Sequence, residues 1–215
     1  HQHRLITWFR EMDGIGQSID ELAITSREMK KFFPSVFVGM SRNEFEHGAH
    51  RTSLRRKNVA VLFVDIVKFS GLCERQDSDE VLQLILQTFL NLLETPVFKN
   101  KGLTKRLGDG FMAAFGFATE DNDLSSLCKR ALTCARKITR NLPRVNTILA
   151  EKAPSLPSTG LKIRIGISAG SAAIGVVQTD FMSNADVFGS IVNLAQRMED
   201  SGRYQPTLDL EGKPQ

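Results

Sequence analysis

The amino-acid sequence predicts an α+β fold: a βαββαβ core with an antiparallel-rich sheet, preceded by an N-terminal helix. Three observations carry that expectation. Asn58–Val64 (NVAVLFV) is a β-branched and aromatic run, apolar on both faces, as in a central strand. LTKRLGDGFMAAFG (Leu103–Gly116) reads as two short strands around Asp109-Gly110, a strong hairpin signal. Helical periodicities fall between these strand patterns, which gives the order of a ferredoxin-like unit, an antiparallel sheet with helices on one face.

Taken in order, residues 1–33 read as helix. Leu5, Trp8, Met12, Ile15, Ile19, Leu22, Met29 and Phe33 follow steps of three and four, with Ser26 the one polar break. Gly14 and Gly16 weaken the middle of this helix, and Pro34 ends it. Residues 1–40 therefore form an N-terminal helix and a candidate dimerisation or transducer coil. Residues 41–57 (SRNEFEHGAHRTSLRRK) read as a basic linker, and 58–215 as the main domain. Ser78 can cap a helix from Asp79 to about Glu94, with Leu82, Ile85, Leu86, Phe89 and Leu93 on its buried stripe. A second helix spans about Leu124–Leu142, with Leu127, Ala131, Ala135 and Ile138 facing inward. Residues 143–160, rich in Pro and Ser, read as a loop. Leu161–Gly170 alternates as a strand, Ala172–Gln178 reads as another short strand, and Gly189–Asp200 as a last helix.

The chain has 215 residues, 41% of them hydrophobic, enough for one domain with an appendage and a sizeable core. A net charge of +4 is mild and suits an anionic ligand without requiring one. Cys73, Cys128 and Cys134 are odd in number and lack CxxC spacing, so neither a disulfide framework nor a zinc site is indicated. Reduced thiols and a cytoplasmic location are expected. No apolar run reaches the ~18 residues that span a membrane, so no membrane contact is expected within this chain, although a parent protein could be membrane-attached. One Trp and one Tyr offer few platforms for stacking bases, which argues against nucleic acid as a partner.

The chemistry concentrates in three places. Asp65 closes the most apolar strand and Asp109 sits in the hairpin turn. In the predicted sheet these strands are neighbours, so the two carboxylates meet at one end of it. Carboxylates that close repel unless a cation lies between them. Hard divalent ions bind through one or two carboxylates together with substrate phosphates. After Asp65, the turn Ile66-Val67-Lys68-Phe69-Ser70-Gly71 can aim backbone N–H groups and the Ser70 hydroxyl at phosphate oxygens. In DVFGSIVNLAQRM (Asp186–Met198), Asn193 and Arg197 are four apart and share one helix face.

Together, LFVDIVKFSGL, LTKRLGDGFMAAFG, IRIGISAGSAAIGVV and DVFGSIVNLAQRME resemble the catalytic domain of class III nucleotidyl cyclases, the adenylyl and guanylyl cyclases, over about Lys57 to Asp200. The resemblance implies roles. Asp65 and Asp109 look like the two-metal aspartates, with the Ile66 carbonyl joining one metal, Mg²⁺ or Mn²⁺. Phe69 and Ser70 fall where the backbone contacts the terminal phosphates. Lys105 and Asp186 stand where adenylyl cyclases read adenine, Asn193 looks like the ribose-orienting asparagine, and Arg197 like the arginine that stabilises charge on the α-phosphate. The implied activity is adenylate cyclase, converting ATP to 3′,5′-cyclic AMP and pyrophosphate at sites shared between the chains of a head-to-tail homodimer. An upstream sensor or regulatory domain is then expected in the parent protein.

Lys105 and Asp186 also make physical sense as an adenine reader. Lys105 only donates, so it suits the acceptor N1 of adenine, and Asp186 accepts from N6–H₂. Guanine presents the opposite groups at both positions. The family pattern continues with further strands and a phosphate-binding lysine, whereas here SGRYQPTLDLEGKPQ ends the sequence, so truncated C-terminal strands are expected. Arg106 and Ser190 also differ from the commonest family residues. The alternatives are a nucleotide-binding pseudo-cyclase, which would normally have lost an aspartate or the arginine, and a guanylate cyclase. A polymerase palm would need nucleic-acid grooves. A diguanylate cyclase would need a GG(D/E)EF hairpin, where this chain has LGDGF.

Overall fold

The computed structural model describes residues 20, 22–24, 53–74, 78–117, 119, 121–153, 156, 160–178 and 183–202. The chain divides into two units, His1–His50 and Arg51–Gln215. In the first unit, Asp20 and residues 22–24 are helical, and Leu22 is exposed. The remaining heptad positions, residues 41–52 of the linker and the segment 203–215 lie outside the described residues.

The second unit runs β1 (Ser53–Ile66), α1 (Phe69–Cys73), α2 (Asp79–Lys99), β2 (Leu103–Leu107), β3 (Gly110–Phe115), α3 (Leu124–Lys152), β4 (Ile163–Gln178), β5 (Ser183–Phe188) and α4 (Ser190–Ser201). The strands form one sheet in the order β2-β3-β1-β4-β5, every neighbouring pair antiparallel. The predicted α+β architecture is present, with β1 at the centre as its double-sided apolar pattern requires. Residues 59–64 of β1 are all buried.

Alternation along the strands sorts the two faces. Ala60, Leu62, Val64 and Ile66 join Ile85, Phe89, Leu93 and Val97 of α2 and Leu127, Ala131, Cys134 and Ile138 of α3 in one apolar cluster. The helices were expected on a single face, and α4 departs from this. It packs on the opposite face, where Gly166 of β4 leaves room. A Cβ at Gly166 would stand 2.0 Å from the Ala195 carbonyl oxygen and 2.4 Å from the Glu199 amide nitrogen.

Several boundaries differ from the sequence expectation, each for a tertiary reason. β1 begins at Ser53 rather than Asn58, because residues 53–57 (SLRRK) pair with Ala172–Val176 of β4. Residues of the expected linker are thus part of the central strand. The two strands expected at 161–170 and 172–178 are one strand, held continuous by that same ladder. α2 continues past Glu94 through Pro96, whose buried position and that of Val97 extend the apolar stripe. α3 continues through Pro143 to Lys152, replacing most of the expected loop, because Val145 and Leu149 prolong the buried stripe. Within that stripe Cys134 is buried and Ala135 only half-buried. Asn146 then clamps the next segment, donating from Nδ2 to the Leu161 carbonyl and accepting from the Leu161 amide. β5, unrecognised in the sequence, is a polar edge strand.

At 21 residues and a mean hydropathy of 1.3 in its most apolar window, α2 is long and apolar enough to cross a membrane, which the sequence reading did not anticipate. Its apolar residues are instead spent on the core, where Ile85, Phe89, Leu93 and Val97 are fully buried. All three cysteines are free thiols, and burial pushes the Cys134 thiol up to about 12.

The close approach at Gly166 makes a test. Gly166→Ala forces α4 off the sheet, at an expected cost of about 1–3 kcal/mol from overpacking, readable by urea unfolding. Ala at Gly71, where nothing lies within 4 Å of an added Cβ, serves as the control with little loss.

Candidate active site

The GDG turn brings the two aspartates together, and each glycine in it has its own reason. Gly108 takes a left-handed φ of 63°, which glycine adopts without steric cost. Gly110 lies against β1: a Cβ there would stand 2.3 Å from the Val64 carbonyl oxygen and 3.1 Å from Asp65 Oδ1. Only a residue without a side chain lets the hairpin approach Asp65 this closely. The Asp109 carboxyl consequently shares a hydrogen bond with the Asp65 side chain. Burial and the negative charge of Asp65 push Asp109 up to about 6, the shared hydrogen bond adds to the rise, and its own backbone amide and Arg164 pull the other way.

Arg164, which the sequence reading passed over, completes this cluster. It stands opposite Asp65 in the β1–β4 register and donates from Nη2 to Asp65 Oδ2. Its Nε donates to Glu199 Oε1 of α4 at 2.5 Å, and Glu199 is buried. One guanidinium therefore links the sheet's acid to the helix on that face. The detectable signal was a single cation at an interior position of an otherwise apolar strand, IRIGI.

The segment after Asp65 is anchored rather than loose. Ile66 is buried in the core, so only its backbone is available to a ligand. Lys68 adopts a left-handed φ of 59° and turns the chain into α1. The Phe69 side chain packs on the core, while Ser70 is exposed.

Lys105 and Asp186 lie on β2 and β5, the two edge strands, with three strands between them in the sheet order. They nevertheless form an ion pair, Lys105 Nζ to Asp186 Oδ2 at 2.5 Å. The twist of the sheet curls its edges toward each other, and the two groups remain partly solvent-accessible.

Asn193 and Arg197 are on α4 as expected, both exposed. The buried residues of this helix are Ile191, Ala195 and Glu199. At ~100° per residue, Asn193 and Arg197 project roughly 160° away from Ala195. They face away from their own sheet, so the chain does not bring them to its own Asp65 and Asp109. The predicted residues thus fall into an acid cluster (Asp65, Asp109, with Ile66, Phe69 and Ser70), a Lys105–Asp186 pair, and an outward Asn193–Arg197 stripe.

This fold and this set of motifs define a cyclase catalytic domain. The profile of the family described as Adenylate and Guanylate cyclase catalytic domain matches residues 52–206, and the chain belongs to that family. Among curated relatives it is 27% identical over 161 residues to the germination-specific adenylate cyclase of Dictyostelium discoideum, covering 74% of this chain and 18% of that protein. It is 31% identical over 150 residues to guanylyl cyclase C of Sus scrofa, covering 68% of this chain and 13% of that protein. The chain thus spans less than a fifth of either relative. In structure it resembles the adenylyl cyclase CyaB from P. aeruginosa, with a TM-score of 0.61, 24% identity and coverage of 69% and 74%. Adenylyl and guanylyl cyclases are both represented.

The raised Asp109 sets a pH dependence. A carboxyl raised in the fold above its ordinary 3.8 binds its proton more tightly when folded, so its contribution to stability is full below about pH 4 and is lost as pH rises through about 6. Asp109→Asn cannot ionise and escapes that loss. In metal-free protein its stability relative to wild type therefore rises from about pH 4 to pH 7 in urea unfolding series.

Proposed function

We propose that this domain is an adenylate cyclase that converts ATP to 3′,5′-cyclic AMP and pyrophosphate. The observation that carries the choice of ATP is the Lys105–Asp186 pair, which sets a donor beside an acceptor at one accessible place. Lys105 donates to adenine N1 and Asp186 accepts from N6–H₂. Guanine leaves both without a partner, and sites built on such hydrogen bonds reject the wrong base strongly.

The acid cluster fits divalent cations. The negative charge of Asp65 is close enough to raise the proton affinity of Asp109, and two carboxylates plus substrate phosphates are a usual Mg²⁺ or Mn²⁺ donor set. Asp65, Asp109 and the Ile66 carbonyl would hold these ions, which would supply acidification of the ribose 3′-hydroxyl and neutralisation of charge on the leaving pyrophosphate. Backbone at Phe69 and Ser70 receives the terminal phosphates. Asn193 orients the ribose so that its 3′-oxygen lies in line with the α-phosphorus, and Arg197 stabilises the charge that develops there. Positioning and charge neutralisation account for most of the catalysis.

The outward direction of Asn193 and Arg197 supports a homodimer in which each site takes its acids from one chain and Lys105, Asp186, Asn193 and Arg197 from the other. An upstream sensor or regulatory domain of the parent protein acts on that dimer through the N-terminal segment. Free thiols suit a cytoplasmic setting.

Purified protein is to be incubated with ATP or GTP and Mn²⁺ and the product identified by mass spectrometry. Cyclic AMP from ATP is expected, with Asp109→Asn lowering kcat by about a thousandfold, several kcal/mol of lost charge stabilisation. Lys105→Glu should lower kcat/KM for ATP by about ten- to a hundredfold, the worth of a hydrogen bond to a charged group. Cyclic GMP from the wild type would overturn the base assignment. Mixing inactive Asp109→Asn with inactive Arg197→Ala chains should restore about a quarter of wild-type activity, since half of randomly mixed dimers then hold one intact site of two. No recovery after verified chain exchange would refute the shared site.

A further inference from the structure

The hairpin that carries both Lys105 and Asp109 belongs to an exposed edge of the sheet. Among the described residues β2 has one strand neighbour, β3. Alternation sends consecutive β2 side chains to opposite faces. Lys105 goes to Asp186, and Arg106 goes to the face covered by α2. There the Arg106 guanidinium grips Glu94 with two donors, Nε to Oε1 at 3.2 Å and Nη2 to Oε2 at 3.4 Å. Glu94 is 6% exposed, and a carboxylate that buried is costly without a cation. Nearer the turn, α2 and the hairpin leave a groove of about 470 Å³, bordered by Gln83, Leu86, Gln87, Leu90 and Asn91 on one side and Arg106 and Gly108 on the other. The groove separates α2 from the hairpin at this point, and the Glu94–Arg106 ion pair bridges the two elements beside it.

We propose that Glu94 and Arg106 form a clamp that positions the β2–β3 hairpin, making Arg106 a positioning residue for both the base-reading Lys105 and the metal-binding Asp109. This rests on the cyclase reading above for its effect on turnover, and on geometry alone for its effect on the hairpin. A guanidinium fork fixes orientation as well as distance, which a single-point ammonium does not. With the fork in place, Lys105 is directed to one face and Asp109, three residues further on, is held against Asp65. Without it, the tip of an edge hairpin pivots about β3, and both groups move together.

The test compares wild type, Arg106→Leu, Glu94→Gln and Arg106→Lys. Hydrogen–deuterium exchange is read at the amides of 103–115, and KM, kcat, the ATP-to-GTP ratio and the Mn²⁺ half-saturation concentration are measured alongside. In Arg106→Leu, hairpin exchange should rise about tenfold while the amides of α3 stay protected, as local opening predicts. The preference for ATP should fall and the Mn²⁺ half-saturation rise, each by about tenfold, because small misplacements of binding groups cost that much or more. Glu94→Gln should act in the same direction, and Arg106→Lys should recover part of each effect. Unchanged hairpin exchange in Arg106→Leu would overturn the clamp. So would a uniform loss of thermal stability and active fraction with KM, base preference and metal half-saturation unaltered. A wild type that turns over neither nucleotide would refute the cyclase reading, and the exchange data would still decide whether the clamp exists.

Discussion

The unbroken antiparallel ladder between β1 and β4, from Ser53↔Val176 to Ile66↔Ile163, is the constraint on which the rest of the structure depends. It admits no bulge, so register at one end dictates register at the other. It sets Arg164 opposite Asp65 and places Gly166 one step along the same face, where α4 settles. Its far end carries β5, and hence Asp186, round toward β2. A slip of one residue would send Asp65 and Arg164 to opposite faces and close the space that α4 needs.

Charge at the end of β1 is balanced rather than merely tolerated. Two carboxylates brought together by a glycine turn repel, and Asp109 responds by holding its proton more tightly. Arg164 offsets part of that repulsion while remaining tied to buried Glu199. The arrangement is a pre-built demand for positive charge, with one cation already supplied by the protein. A pair of ordinary turn aspartates would have no reason to face one another across so tight a backbone contact.

The molecule also separates its functions by face and by direction. The α2–α3 side of the sheet is core. The α4 side holds the acids, and α4 itself turns Asn193 and Arg197 outward. Exposed Leu194 and Met198 accompany them on the same helix, so the polar stripe lies beside apolar surface that a second chain could cover. The hairpin bearing Lys105 and Asp109 is held from both sides, by Asp186 on one face and Glu94 on the other.

Much of this was legible in the sequence. The strand at Asn58–Val64, the GDG hairpin and the two core helices follow from local pattern: apolar runs, turn chemistry and helical period act over a few residues, whereas the meeting of Asp65 with Asp109 follows only from the order of the strands in the sheet. The cyclase motifs carried the family. What local pattern could not supply was decided by partners distant in sequence. Residues 53–57, with three cations in a row, look like linker until β4 pairs with them. Pro96 and Pro143 look like helix ends until buried Val97, Val145 and Leu149 carry the helices onward. Arg164 is one cation among isoleucines until Asp65 and Glu199 lie beside it. Residues 105 and 186 are 81 apart in the chain and on opposite edges of the sheet, and only its curl makes them neighbours. By itself, then, the sequence determined the family and the strand, turn and helix on which the candidate residues sit, because residue type and short spacing are local. The tertiary structure decided which of them meet, because twist, register and burial are properties of the whole sheet.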